Sequence, residues 1–213
     1  DTIIVRAESG VGLPTLARQC VLHGASGLEW AATVPGTVGG AVVGNAGAHG
    51  SDMAASLRLA TILQGNGEIR DWTNANLKFA YRKSALKNGE RGVVLSAEFV
   101  LTRGDPDEMQ ARVESLMTRR KRTQPPGASI GSMFKNPPGD SAGRLIEAAG
   151  LKGMRIGKAE ISPIHANFFV NLGSATARDV YSLISVAQSK VREKIGVELE
   201  LEIELVGDWG GQC

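Results

Sequence analysis

Four stretches of the chain hold residue types able to do chemistry. In "FAYRKS", Arg82 follows Tyr81 and precedes Ser84; a guanidinium is a rigid fork suited to a carboxylate or phosphate, and a neighbouring tyrosine can stack or hydrogen-bond. A solvated surface arginine is the alternative. In "GSMFKNP", Ser132 follows Gly131 and leads to Lys135 and Asn136. A serine hydroxyl donates a proton only where neighbours stabilise its alkoxide, and a preceding glycine lets backbone and ligand approach closely. No G-x-S-x-G elbow is present, so acyl-transfer chemistry is disfavoured and an ordinary loop is the competing reading. Near the end, Glu198, Glu200, Glu202 and Glu204 alternate with Leu199, Leu201, Ile203 and Leu205. Period two puts the carboxylates on one face, roughly 7 Å apart, close enough to raise one proton affinity unless a cation intervenes. That face is either simply solvated or turns one Glu into a cleft beside Arg82, and alternation does not choose which. The fourth stretch, "TVPGTVGGAVVGNAGAHG" at 33–50, holds six glycines. Bare backbone with exposed amides suits a planar or phosphorylated ligand, and equally suits close packing between chain segments. Its spacing is not the dinucleotide fingerprint, because no strand-then-helix frame surrounds it.

The elements that must position these residues follow from periodicity. A strand runs from Ile3 to Ala7; Gly10, Gly12 and Pro14 then open a helix with Leu16, Ala17, Cys20 and Val21 on one face. "SLRLATILQGNGEIRDW" alternates on both sides of Gly65-Asn66-Gly67, a hairpin pattern, and "GVVLSAEFVLTR" is the next strand. Asp105 and Pro106 cap a helix carrying Met109, Val113, Leu116 and Met117, which ends in Arg119, Arg120, Lys121 and Arg122 before Pro125-Pro126. A short helix through Leu145, Ile146, Ala148 and Ala149 stops at Gly150. Thr176 and Asp179 form a capping box for a long helix bearing Val180, Leu183, Ile184, Ala187, Val191 and Ile195, ended by Gly196. The final "VELELEIELV" reads as a strand. Strands early and helices late, with the prolines as seam, predict an α+β chain of two lobes.

Composition narrows the classes. The 213 residues, 42% hydrophobic, suffice for one large domain or two small ones. Lys plus Arg 24 against Asp plus Glu 22 leaves a net charge of +2, too balanced for a nucleic-acid surface. No run of eighteen apolar residues and no signal-peptide pattern occurs, so no membrane insertion and a cytoplasmic setting are expected. Cys20 and Cys213 form no metal pattern and read as thiols; no metal site is expected. His23 reads as a surface residue. The chain opens at Asp1, almost directly into a strand, which looks like a chain whose front has been removed.

In this order, "VPGTVGGAVVGNAGAHG", "YRKS", "GSMFKNP", "AGRLIEAAGLKGMRIGKAEISPIHANFFVN" and "LELEIELVG" closely resemble the UDP-N-acetylenolpyruvoylglucosamine reductase family. The short run between Arg82 and Ser132 resembles the type II form. The resemblance implies the second lobe of a two-lobed FAD-binding fold of the vanillyl-alcohol-oxidase kind, residues 1–118 with 197–213, and a smaller α+β substrate domain at 119–196. It implies that NADPH reduces FAD, that the flavin then gives hydride to the vinyl carbon of UDP-N-acetylglucosamine-enolpyruvate, and that the product enters peptidoglycan synthesis. By the same resemblance Arg82 stabilises the enolate, Ser132 returns the proton and Glu202 is the carboxyl partner. Tyr81, Lys135, Asn136 and His165 look like substrate contacts, and Val34, Pro35, Gly36, Thr37, Gly39, Gly40, Val43, Asn45, Gly47 and Ala48 like the flavin wall. A monomer is expected.

Departures from the family pattern are expectations too. His49 stands where a tyrosine is common and would bring a titratable group near the site. The basic run 119–122 suits a helix C-terminus, or binds the UDP diphosphate. A "GGGSN"-like loop of the family does not precede Asp1, which leaves as alternatives a catalytically silent UDP-sugar-binding fragment or another FAD-linked oxidoreductase of the same fold.

Overall fold

The computed structural model describes residues 1–207; Cys213 lies outside the described residues. The chain divides into two compact units, Asp1–Arg120 and the residues from Lys121 onward.

The first unit begins with β1 (Thr2–Glu8), α1 (Leu13–Leu22), β2 (Ala25–Ser26) and a 3-10 turn at Glu29–Thr33. There follow α2 (Val38–Gly44), β3 (Gly47–Ala48), β4 (Ser51–Asp52), α3 (Met53–Ser56), β5 (Leu57–Gln64), β6 (Ile69–Thr73), α4 (Asn74–Leu77), β7 (Gly92–Arg103) and α5 (Pro106–Thr123). The sheet has the order β1-β7-β5-β6, with β2 paired to β7, and every pairing is antiparallel. The expected hairpin is β5–β6. Its inner face, with Ala60, Ile62, Ala97, Phe99 and Leu101, shares one core with Leu13, Leu16, Ala17, Cys20 and Val21 of α1. Each such large side chain contributes about 1.5–3 kcal/mol by leaving water. Asp105 accepts from the Asp107 and Glu108 amides at 2.8 and 3.1 Å, the expected cap of α5.

The second unit holds β8 (Ala128–Ser132), α6 (Ala142–Ala148), β9 (Arg155–Ile156), β10 (Ala159–Ile161), β11 (Phe168–Asn171) and α7 (Ala177–Ile195). Its sheet has the order β8-β11-β10-β9. Leu183, Ile184, Ala187 and Val191 of α7 join Leu145 and Ile146 of α6 over Ala159, Ile161 and Phe169. The Thr176–Asp179 capping box forms, and Gly196 ends α7 in left-handed backbone, φ 78°.

Three expectations are corrected here. The glycine stretch contains a helix: Thr37 caps α2 by accepting from the Gly40 amide at 3.3 Å, and Asn45 ends it. The segment 197–206 makes only an isolated bridge, Phe134 to Leu201, bends at Glu202 and Ile203, and is not a ladder strand. It also belongs to the second unit, because Leu199 is buried in that core with Leu201 and Ile203 packed against it. An apolar edge goes where its core is, and three aliphatics at period two fit the α6–α7 core.

Candidate active site

In the first unit, tertiary structure brings together two motifs separated in sequence. Tyr81 and Arg82 are the central pair of a tight turn closed by Ala80 and Lys83, whose amides and carbonyls bond reciprocally at 3.1 and 3.0 Å. Arg82 sits in left-handed backbone, φ 57°, a state costing about 1–3 kcal/mol in a non-glycine residue and held only where surroundings over-determine it. Those surroundings are the glycine stretch. Asn45 donates to the Ala80 carbonyl at 3.0 Å, Arg82 Nη2 donates to the Gly47 carbonyl at 2.9 Å, and buried Ser84 donates to the Val43 carbonyl at 2.6 Å. The Arg82 guanidinium also lies 5.2 Å from the Tyr81 ring centre, a cation–π contact.

The glycines divide between the two readings left open by sequence. Gly39 and Gly47 are packing glycines: a β-carbon on Gly39 would fall 2.9 Å from Ser9 Cβ, and one on Gly47 would fall 2.7 Å from the Ser51 carbonyl oxygen. Gly36 has φ 113° and nothing within 4 Å of where a side chain would begin. Pro35, Gly36, Thr37 and Gly40 are exposed, while Val34, Val43 and Ala48 are half-buried. Three amides of the stretch are engaged inside the protein: Val38 and Gly39 donate to the Val11 and Ser9 carbonyls at 2.9 Å, and Gly40 donates to Thr37. The bare surface at Gly36 lets a flat ligand lie against the backbone.

His49 also has left-handed backbone, φ 55°, and its Nε2 lies 2.9 Å from Thr33 Oγ1. Partial burial, then the nearby Arg119 and Arg120 charges, push its pKa below the usual histidine value. Arg120 donates to the Thr33 carbonyl, tying the last turn of α5 to the start of the glycine stretch. A run of four basic residues gave no hint of which one does this. Burial, with Glu29 adding to it, pushes the Cys20 thiol up to about 11, so it is an inert core residue. His23 is exposed at the end of α1.

In the second unit, Ser132 ends β8 one residue after Gly131, φ 86°. The pairing of β8 with β11 shifts register between Phe168 and Val170, a bulge that sets the direction in which Ser132 leaves the strand. The next residues are held by Asn167, a buried residue missed in the sequence. Its carbonyl accepts from Met133 N at 2.8 Å, its Oδ1 from Phe134 N at 2.9 Å, and its Nδ2 donates to the Phe134 carbonyl at 2.8 Å. The one available clue was a lone Asn before the apolar pair in "ANFF".

The acidic tail lies along this same segment. Lys135 N donates to the Glu200 carbonyl at 2.8 Å and Glu202 N to the Met133 carbonyl at 2.9 Å, so Glu202 runs beside the residue that follows Ser132. The four glutamates are now distinguishable. Glu198 pairs with Arg192 at 3.4 Å, Glu200 pairs with Lys135, and Glu198, Glu200 and Glu204 are exposed while Glu202 is half-buried. Asn136 Oδ1 accepts from Ala142 N at 3.0 Å at the start of α6. His165 Nδ1 accepts from Asn167 N at 3.3 Å, leaving its proton on Nε2, and its ring lies 4.8 Å from Phe168. Burial lowers its pKa, which agrees with a neutral ring.

The first unit thus sets bare backbone beside a strained arginine, the second sets Glu202 beside the residue after Ser132, and the family matches of both units define a flavin-dependent oxidoreductase class. Residues 1–73 match the FAD binding domain family, and residues 123–206 match the family described as UDP-N-acetylenolpyruvoylglucosamine reductase, C-terminal domain. The UDP-N-acetylenolpyruvoylglucosamine reductase of Chloroflexus aggregans is 49% identical over 97% of this chain and 71% of its own length; that of Rubrobacter xylanophilus is 46% identical over 95% and 68%. The crystal structure of the Thermus caldophilus reductase superposes with a TM-score of 0.83 at 40% identity, covering 94% of this chain and 71% of that one. The chain belongs to the UDP-N-acetylenolpyruvoylglucosamine reductase family, whose cofactor is FAD.

Proposed function

We propose that this chain reduces the enolpyruvyl group of UDP-N-acetylglucosamine-enolpyruvate to the lactyl ether of UDP-N-acetylmuramate, with NADPH as reductant, in cytoplasmic synthesis of peptidoglycan precursors. What supports this reading is that half-buried Glu202 runs beside Met133, the residue that follows Ser132, through the bond from Glu202 N to the Met133 carbonyl, within a chain matched to this reductase family along nearly its whole length. No helix among the described residues is long and apolar enough to cross a membrane.

The residues present fit the cofactor. Val34, Pro35, Gly36, Thr37, Gly40, Val43 and Ala48 form bare or half-buried surface able to hold a flat ring. When bound, FAD supplies the hydride that reaches the vinyl methylene carbon. What the protein must then manage is charge. Addition of hydride sends the double-bond electrons toward the substrate carboxylate, and the resulting enolate is stabilised by Arg82, whose αL backbone and Gly47 bond hold the guanidinium before the reaction begins. Ser132 gives its proton to the carbon bearing the ether oxygen, completing the saturated lactyl group, and is reprotonated from solvent. A serine is a poor acid, so this transfer depends on placement and on the strong basicity of the carbanion. Glu202 is the carboxyl partner beside it. Lys135, Asn136, His165 and Tyr81 bind the UDP-sugar.

The test separates the half-reactions. Ser132→Ala is expected to slow reoxidation of reduced flavin by the enolpyruvyl UDP-sugar by about 10²–10⁴-fold, while reduction by NADPH stays within about twofold. Unchanged reoxidation would assign the chain to another flavin oxidoreductase. Calorimetric binding of the UDP-sugar without flavin absorption bands would leave only a sugar-binding module.

A further inference from the structure

Asn45 falls among the residues that family resemblance gives to the cofactor, but its side chain is wholly committed inside the protein. It is 2% exposed. A carboxamide has two N–H donors and one carbonyl. Both donors are used, one to the Ala80 carbonyl at 3.0 Å and one to Asp52 Oδ2 at 3.2 Å, while Oδ1 accepts from Ala54 N at 3.1 Å. Its backbone, φ 42° and ψ 59°, ends α2 in the left-handed conformation that asparagine tolerates better than most residues. One residue therefore stops the glycine-rich helix and fixes three later points of the chain.

The point that matters for chemistry is Ala80. Its carbonyl receives two hydrogen bonds, from Lys83 N across the Tyr81–Arg82 turn and from Asn45. The turn is short, Tyr81 is exposed, and Arg82 occupies strained backbone. Without an outside restraint such a turn relaxes, because α4 ends at Leu77 and no ladder strand includes residues 79–84. Among the restraints from the glycine stretch are the Asn45, Arg82 and Ser84 bonds, and of these three the Asn45 bond is the one made to the turn's own closing carbonyl.

We infer that Asn45 is a positioning residue for Arg82: it holds the Tyr81–Arg82 turn in the strained geometry that aims the guanidinium, and does so without touching the flavin. This rests on the proposed role of Arg82. Val43 and Gly47, which accept from Ser84 and Arg82, flank Asn45 two residues away on either side, so the end of α2 is one clamp for the whole arginine turn. Asp52 and Ala54 anchor the other sides of the carboxamide and prevent it from rotating off Ala80.

Asn45→Gly removes the carboxamide and keeps the left-handed cap; Asn45→Asp keeps the acceptor for Ala54 N and loses both donations. Hydrogen exchange on the chain without ligand is the first measurement. The Lys83 amide is expected to exchange at least tenfold faster in both variants, with β5 and β7 unchanged; unaltered exchange at Lys83 overturns the inference. The second is a double-mutant cycle on flavin reoxidation by the enolpyruvyl UDP-sugar. Asn45→Gly is expected to slow it at least tenfold in the native background, and by less than threefold in Arg82→Lys, with FAD content and reduction by NADPH preserved. Equal slowing in both backgrounds, or loss of FAD in step with activity, also overturns it. If the native chain itself shows no sugar-dependent reoxidation, the proposed function fails, and exchange at Lys83 alone decides whether Asn45 holds the turn.

Discussion

Asn45 in the first unit and Asn167 in the second are both 2% exposed, and each holds a stretch of backbone that no sheet ladder holds. They do it differently. Asn167 mimics a neighbouring strand, meeting both the N–H and the carbonyl of Phe134, and so keeps the segment after Ser132 extended. Asn45 spreads its bonds over Ala80, Asp52 and Ala54, and so gathers a turn, a hairpin and a short helix around the end of α2. The lesson is that irregular backbone beside chemistry still needs its polar groups satisfied, and a buried carboxamide can satisfy them where a ladder would be too straight.

The comparison breaks most visibly at Asn167. Asn167→Ala strips two partners from Phe134, which is fully buried, and leaves each group at a cost of about 1–3 kcal/mol. A loss of about 3 kcal/mol is expected in denaturant unfolding. Asn167→Asp, which still accepts from Phe134 N, should lose less; equal losses would show that Asn167 matters by volume and not by hydrogen bonding.

A smaller contrast lies in the glycines that let each region close. Gly39 faces Ser9 Cβ at 2.9 Å and the Ser9 carbonyl oxygen at 3.3 Å, which are backbone-anchored, whereas Gly143 faces His165 Cε1 at 3.1 Å, the end of a side chain that can give. Gly39→Ala is expected to destabilise by about 1–3 kcal/mol through overpacking. In Gly143→Ala the gain in helix propensity, about 1 kcal/mol, offsets most of the strain. Thermal unfolding of the two variants checks the order, and a milder effect at Gly39 would mean that α2 is not closely packed on the loop after β1.

The smallest effect is in pH. The pKa of His165 and that of His49 both lie below the usual 6.5, each first through burial. A depressed folded-state pKa contributes stability that is complete above the unfolded value and is lost as pH falls through the folded one. Stability should therefore decline as pH falls below the usual histidine value of 6.5. His165→Gln should flatten that decline more than His49→Gln, since His49 is the more exposed. The opposite ranking would place the more desolvated imidazole in the first unit.

Much of the frame was legible in the chain's own patterning. The α5 cap at Asp105, the β5–β6 hairpin and the Thr176–Asp179 box form as read, because each depends on residues within a few positions of one another. The hairpins of the second sheet were not legible, since β9, β10 and β11 are each four residues or shorter and carry too little alternation to register. The tail shows the division within one segment. Period two correctly sorted the leucines from the glutamates, yet 197–206 is no strand, because its partner at Met133–Lys135 is itself irregular.

Sequence by itself determined which residue types are present at which spacing: the bare 33–50 stretch, the arginine after a tyrosine, the serine after a glycine and four equivalent glutamates. Only tertiary structure decided among equals. It set Gly39 and Gly47 to packing and left Gly36 open, and it half-buried Glu202 while leaving Glu198, Glu200 and Glu204 exposed. It also turned the Asn45 side chain inward, onto the turn that carries Arg82. The reason is physical: periodicity encodes which side of an element faces the core, but satisfaction of buried polar groups draws on partners far along the chain, 35 residues for Asn45 with Ala80 and 33 for Asn167 with Phe134, and those separations close only when the chain folds.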